Sequence, residues 1–221
     1  MNLNQLYQEE LPISKVTKQI DSILGSKKSI FSLFQNPSYN DEPKFFQFTS
    51  KFPLGLQQSA MSRQEQYSVG ISNDFQIARI KAMCEALERY SLSSYNKKDL
   101  IYSKWSDLDG KIANPLEMTP FSEKQLKVKR FRRFRIDSKS KFWWTSGFCL
   151  NDFSNAFIPA QLVYMPYLFN NEKIIRLPIT TGAACGSSLG GAIYRGMCEN
   201  IEREAFMIMY LNRLECPEID L

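Results

Sequence analysis

Ala78-Arg-Ile-Lys-Ala-Met-Cys-Glu-Ala-Leu-Glu-Arg89 and Ala192-Ile-Tyr-Arg-Gly-Met-Cys-Glu-Asn-Ile-Glu-Arg203 decide how this chain is read. Six of the twelve aligned positions are identical, Lys81 faces Arg195, and Leu87 faces Ile201. Chance would give about one identity, so the pair is an internal repeat. Its period of 114 residues is too long for a solenoid and suits two related halves of one domain. A loop of small residues precedes each copy: Ser68-Val-Gly-Ile-Ser72 and Thr181-Gly-Ala-Ala-Cys-Gly-Ser-Ser188. The expected fold class is therefore α/β (mixed α+β), with two pseudo-symmetric strand-helix halves packing sheet against long helices.

Working outward, Asn73 or Asp74 can cap a helix from about Phe75 to Ser94, with Ile77, Ile80, Cys84 and Leu87 on one stripe. The second copy predicts a helix from about Leu189 to Asn212. Its tail, Ala205-Phe-Met-Ile-Met-Tyr-Leu211, is apolar all round, which predicts a buried helix. Strands are expected at Lys44 to Ser50, Tyr67 to Ile71 and Arg176 to Thr180. Phe142 to Leu150 and Phe157 to Tyr164 should pair around a turn at Asn151 to Asn155. Asn114 to Glu123, with two prolines, reads as irregular, and residues 1–44 read as a helical, then polar, lead-in to a domain over residues 45–221.

Helical geometry gives the repeat its chemistry. At about 100° per residue, Lys81, Glu85 and Glu88 share one face with Arg89 at its margin. Arg195, Glu199, Glu202 and Arg203 repeat that face. If the helices pair, four carboxylates converge. Hard oxygen ligands of this kind suit Mg²⁺, which is normally shared with substrate phosphates. The flanking cations would meet phosphate oxygens, and the small-residue loops end at helix N-termini that favour anions. The competing reading is a pair of ordinary surface i,i+4 ion pairs, each worth only a few tenths of a kcal/mol. Charges carried on a buried helix argue against it.

Composition sets the outer limits. Apolar residues at 43% and charged residues at 23% describe a globular chain and not a disordered one. The chain has no histidine, which removes Ser-His-Asp catalysis and imidazole metal sites. The five cysteines are odd in number and form no CxxC, as expected of reduced thiols in a cytoplasmic protein. No signal peptide is evident, and the longest apolar run has seven residues, far short of a membrane span. Lys124 to Lys141 carries nine Lys or Arg and one Asp, a balance of +8 against +5 for the whole chain, leaving −3 elsewhere. This stretch could contact nucleic acid or an acidic peptide; a solvated connector is the favoured reading, and nucleic acid the less favoured partner.

Ser68-Val-Gly-(x)7-Ala78 through Tyr90-Ser91 resembles the first signature of the YcaO family, and Thr181 to Ser188 followed by Ala192 to Leu214 resembles the second. Trp144-Thr-Ser-Gly147 with Ile158-Pro-Ala-Gln-Leu-Val163 looks like the strand pair between them. The likeness runs from about residue 45 to the end and is greatest to the branch that matures thiazole/oxazole-modified peptides. Glu204 stands where relatives usually have Asp, and Tyr210 where Trp is common. Relatives also continue for a further half-domain beyond the position of Leu221, so the resemblance implies a domain incomplete at its C-terminus and unable to turn over alone.

That resemblance implies ATP and Mg²⁺ as cofactors. Glu85, Glu88, Glu199 and Glu202 would hold Mg²⁺, and Arg203 would face the phosphates. Lys81, Arg89, Arg195 and Ser187 are further candidates for nucleotide contact. The implied reaction is cyclodehydration of Cys, Ser or Thr in a ribosomally made precursor peptide, as in bacteriocin maturation. Implied partners are that peptide, a leader-binding protein and a flavin dehydrogenase, with a homodimer left open. Two other roles stay open: a non-catalytic docking module, and an accessory factor in ribosomal-protein methylthiolation.

Overall fold

The computed structural model describes residues 4, 6–38, 41, 43–55 and 65–218. Helix α1 (Ile13–Gly25) opens the chain, followed by strands β1 (Ser32–Gln35), β2 (Phe46–Pro53) and β3 (Glu65–Ser72) and by helix α2 (Phe75–Ser93). Then come β4 (Ile101–Ser103), β5 (Lys111–Ile112), the single-turn helices α3 (Pro115–Met118) and α4 (Glu123–Leu126), β6 (Phe142–Phe148), β7 (Asn155–Pro159) and the long helix α5 (Leu189–Asn212). Two sheets result: an antiparallel one in the order β1-β2-β3, and a mixed one in the order β4-β6-β7-β5 in which only β5 and β7 run parallel.

Helix α2 starts where its cap predicts, with the Asp74 carboxylate accepting from the Ile77 N–H at 2.8 Å. Its buried line is Ala78, Ala82, Met83 and Ala86, not the bulkier stripe of Ile77, Ile80, Cys84 and Leu87, which is half-buried. The reason is close approach. A Cβ on Gly70 would lie 2.2 Å from the Ala78 carbonyl, so small residues on both elements bring helix and sheet together. The Ser68 hydroxyl seals the contact by donating to the Ala82 carbonyl at 2.7 Å.

The second sheet owes its core to alternation along β6, where Phe142 and Trp144 are fully buried with Ile175. Burying Phe142 alone contributes roughly 1.5–3 kcal/mol. The Trp144 indole N–H donates to the Ser103 carbonyl at 3.0 Å, which satisfies its polar edge.

Four expectations need correction. Arg176 to Thr180 forms no strand; Pro178 interrupts it, and Leu177 and Ile179 are exposed and pair with no strand among the described residues. The expected strand to Tyr164 stops at Pro159 and turns into a short 3₁₀ segment, and Asn114 to Glu123 contains α3 and the start of α4. Fourth, α5 is not buried: Gly196 is its one buried residue. It rests on the loop before it and on the N-terminal segment, so its apolar tail faces solvent.

Candidate nucleotide and metal site

Helix α5 begins under the control of Ser188, whose hydroxyl accepts from the Gly191 N–H at 3.1 Å. Close contact with the preceding loop requires glycine twice. A Cβ on Gly196 would lie 2.4 Å from the Gly182 carbonyl, and Gly182 itself adopts φ +89°. The loop therefore lies flat on α5, as β3 lies on α2.

In each half the first glutamate of the repeat reaches back to the chain before its helix. Glu85 accepts from the Val69 N–H at 3.3 Å, and Glu199 accepts from the Gly182 N–H at 3.0 Å. Each also faces the arginine one turn on, at 3.5 Å for Arg89 and 2.8 Å for Arg203. Glu88 is more enclosed. Burial pushes its carboxyl up to about 7, and the charges of Glu199 and Glu85 push the same way against the pull of Arg89. The Arg89 Nε lies 3.7 Å from it.

Glu88 thus feels the charges of both Glu85 and Glu199, while Glu202 is exposed. Among the described residues, no three acidic or cysteine side chains enclose an ion unaided. The Lys81 ammonium donates to the Ile71 carbonyl at 3.1 Å. Arg195 is engaged by Glu10 at 2.6 and 2.5 Å, and the Ser187 hydroxyl accepts from the Leu11 N–H at 2.9 Å.

A cavity of about 780 Å³ opens between these elements, within the range of small-molecule sites. Glu88 and Leu87 of α2 form one wall, Val163 and Tyr164 another, and residues 183–189 with Ala192 the third. Glu88 is the carboxylate in its lining, and a bound divalent cation would offset the burial that disfavours its charged form. The small residues of the loop leave room beside the first turn of α5, where free N–H groups favour phosphate.

Sequence reasoning missed two features here. Cys84 and Cys185 face each other across the gap between α2 and the loop; their interaction, with burial, pushes the Cys84 thiol up, and the same interaction, against burial, holds Cys185 down. The N-terminal segment brings Gln8 to the cavity and Glu10 to Arg195. The repeat offered a hint of the thiol contact, because Cys84 lies between the two charged turns; nothing in the lead-in marked Glu10.

Residues 69–221 match the family model described as YcaO cyclodehydratase, ATP- and Mg²⁺-binding. An uncharacterised protein of Methanothermobacter thermautotrophicus is 28% identical over 151 residues, which is 65% of this chain and 34% of that protein. The structure of YcaO from Methanopyrus kandleri bound with AMPPCP and Mg²⁺ is similar over 96% of this chain and 48% of its own, with a TM-score of 0.65 and 17% identity. A heterocyclase in complex with substrate and cofactor is similar over 96% of this chain and 30% of its own, with a TM-score of 0.77 and 19% identity. The heterocyclase TruD is 25% identical with a TM-score of 0.55, over 66% of this chain and 24% of its own. The chain thus spans less than half the length of each of these relatives.

Proposed function

The chain belongs to the YcaO family, and from that premise we propose that it takes part in ATP- and Mg²⁺-dependent activation of peptide backbone amides. The observation that supports it is that Glu88 of α2, which lines the cavity beside the loop of residues 183–189, feels the charges of Glu85 on its own helix and of Glu199 on α5. The names of the solved relatives, one with AMPPCP and Mg²⁺ and one a heterocyclase with substrate and cofactor, support the same reading.

In this reading Glu85, Glu88, Glu199 and Glu202 hold Mg²⁺, which neutralises phosphate charge when bound. Arg203 faces the phosphates, and Lys81, Arg89, Arg195 and Ser187 are the further nucleotide contacts. Lys81 and Arg195 must first exchange their present partners, the Ile71 carbonyl and Glu10. The first turn of α5 orients phosphate oxygens through its backbone N–H groups.

The chemistry follows from a poor leaving group. A Cys, Ser or Thr side chain of the peptide adds to the preceding carbonyl carbon and loses its proton. The resulting oxyanion attacks the γ-phosphorus of ATP and ADP departs. Phosphate then leaves carbon as the nitrogen loses its proton, giving an azoline ring, ADP and inorganic phosphate. Cationic side chains around the transferring phosphoryl group supply the electrostatic share of catalysis. The substrate proposed is a ribosomally made precursor peptide of the bacteriocin type, presented with a leader-binding protein in the cytoplasm.

Calorimetric titration with ATP and Mg²⁺ tests the reading. Saturable binding that Glu199→Gln weakens by at least about tenfold is expected, given the worth of a hydrogen-bonded charge. Absence of binding, or equal binding by the variant, overturns it.

A further inference from the structure

The segment from Lys124 to Lys141 is not a loose connector. Ser122 and Gln125 form a reciprocal capping box at the start of α4, and a 3₁₀ turn follows over Lys129–Phe134. Three rings hold that turn: Phe121 stacks on Phe134 at 4.5 Å and lies 5.1 Å from Phe131, and Phe134 is buried. Arg130 and Arg133 lie over the Phe131 and Phe134 rings, each at 4.7 Å. The packing fixes the cations on the outside: Lys127, Lys129, Arg130, Arg132 and Arg133 are all exposed. Among the described residues, Arg135 is the one cation of this segment within ion-pair distance of a carboxylate, that of Glu123 at 3.0 Å.

The positive surface continues past the turn. Lys139, Lys141 and Lys173 border a hollow of about 290 Å³ with Tyr102 and Asp137. Asp137 is engaged within its own loop, accepting from the Lys139 N–H at 3.0 Å and the Ser140 hydroxyl at 2.9 Å. Holding this many like charges together is unfavourable unless an anion relieves the repulsion.

We propose that the 3₁₀ turn and the three-lysine hollow together form a docking surface for an acidic polypeptide segment. Two observations favour carboxylates over a nucleic acid. The three phenylalanine rings are spent on one another and on arginines, so they offer no free faces on which bases could stack. Beyond this segment the chain carries −3, which repels a polyanion long enough to run off the surface. A short acidic stretch ends where the positive charge ends. The proposal stands apart from nucleotide binding, so either can fail alone.

The test uses the full chain without ATP and a short fluorescein-labelled peptide of alternating Glu and Gly, followed by anisotropy. Saturable binding that weakens several-fold between about 50 and about 200 mM salt is expected. The K129E/R130E/R132E/R133E variant should lose more than about tenfold in affinity, whereas K15E/K18E on α1 changes it less than about twofold. Circular dichroism checks folding, and K139E/K141E/K173E, at positions outside helix and strand, should give the same loss if the first variant does not fold. Absence of saturable binding, an equal effect of the α1 variant, or stronger competition by a single-stranded RNA of equal charge overturns the proposal.

Discussion

Glu10 and Arg195, 185 positions apart, meet through two hydrogen bonds of 2.6 and 2.5 Å. A carboxylate therefore occupies the guanidinium that the nucleotide reading assigns to ATP. Arg195 hydrogen bonding holds the Glu10 carboxyl below its ordinary value, so the contact contributes above about pH 4.5 and is lost as pH falls through the lowered value. Glu10→Gln should loosen the hold and raise ATP–Mg²⁺ affinity several-fold by calorimetry near pH 7. Arg195→Ala should lower affinity and make the Glu10 change silent in the double variant. An unchanged affinity in Glu10→Gln would separate this pair from the nucleotide site.

Glu88 carries a prediction of opposite sign. Its pKa in the folded chain is raised from 4.5 to about 7, chiefly by burial. Its contribution to stability is thus present below about pH 4.5 and lost as pH rises through about 7. Without divalent cations, Glu88→Gln should raise the unfolding free energy near pH 8, by on the order of 1 kcal/mol after allowing for partial exposure, and leave it unchanged near pH 4. Millimolar Mg²⁺ should stabilise the wild-type chain near pH 8 and the variant much less. Equal stabilisation of both chains would remove Glu88 from the cation site.

Gly70 tests the seat of α2. An added methyl group would meet the Ala78 carbonyl at 2.2 Å and the Ala82 nitrogen at 2.4 Å, both backbone atoms that cannot swing aside. Gly70→Ala should push the helix off the sheet and cost about 1–3 kcal/mol in urea unfolding. It should also disturb the site, because the neighbouring Val69 N–H is the donor to Glu85. Gly25→Ala, where nothing lies within 4 Å, is the control and should change stability little.

The repeat made both helices legible, and Asp74, one of two expected caps, does cap the first; Ser188, read only as the end of a small-residue loop, caps the second. It also marked Glu85 and Glu199, whose matching backbone donors follow from matching loops. What it could not show was contact across the fold. Lys81 and Arg195 are equivalent in the repeat, yet one serves a strand carbonyl and the other the distant Glu10. Burial failed for the same reason. An apolar face declares what a helix would accept as neighbour, and nothing along α5 marks Gly196 as its one fully buried residue.

That exposure leads to the last prediction. Tyr194, Met197, Ile201 and Ile208 fall within about 60° of one another around α5, and each is at least half exposed. Phe206, Tyr210 and Leu211 extend the apolar surface around the final turns. Contiguous patches beyond a few hundred Å² are rare on monomers, so this face should bind a hydrophobic dye and drive concentration-dependent self-association. Ile201→Glu with Ile208→Glu should abolish association in sedimentation velocity and reduce dye fluorescence. Because both side chains are exposed, thermal stability should move by less than about 1 kcal/mol. A collapse of the Tm in place of a loss of association would return α5 to the core that its composition first suggests.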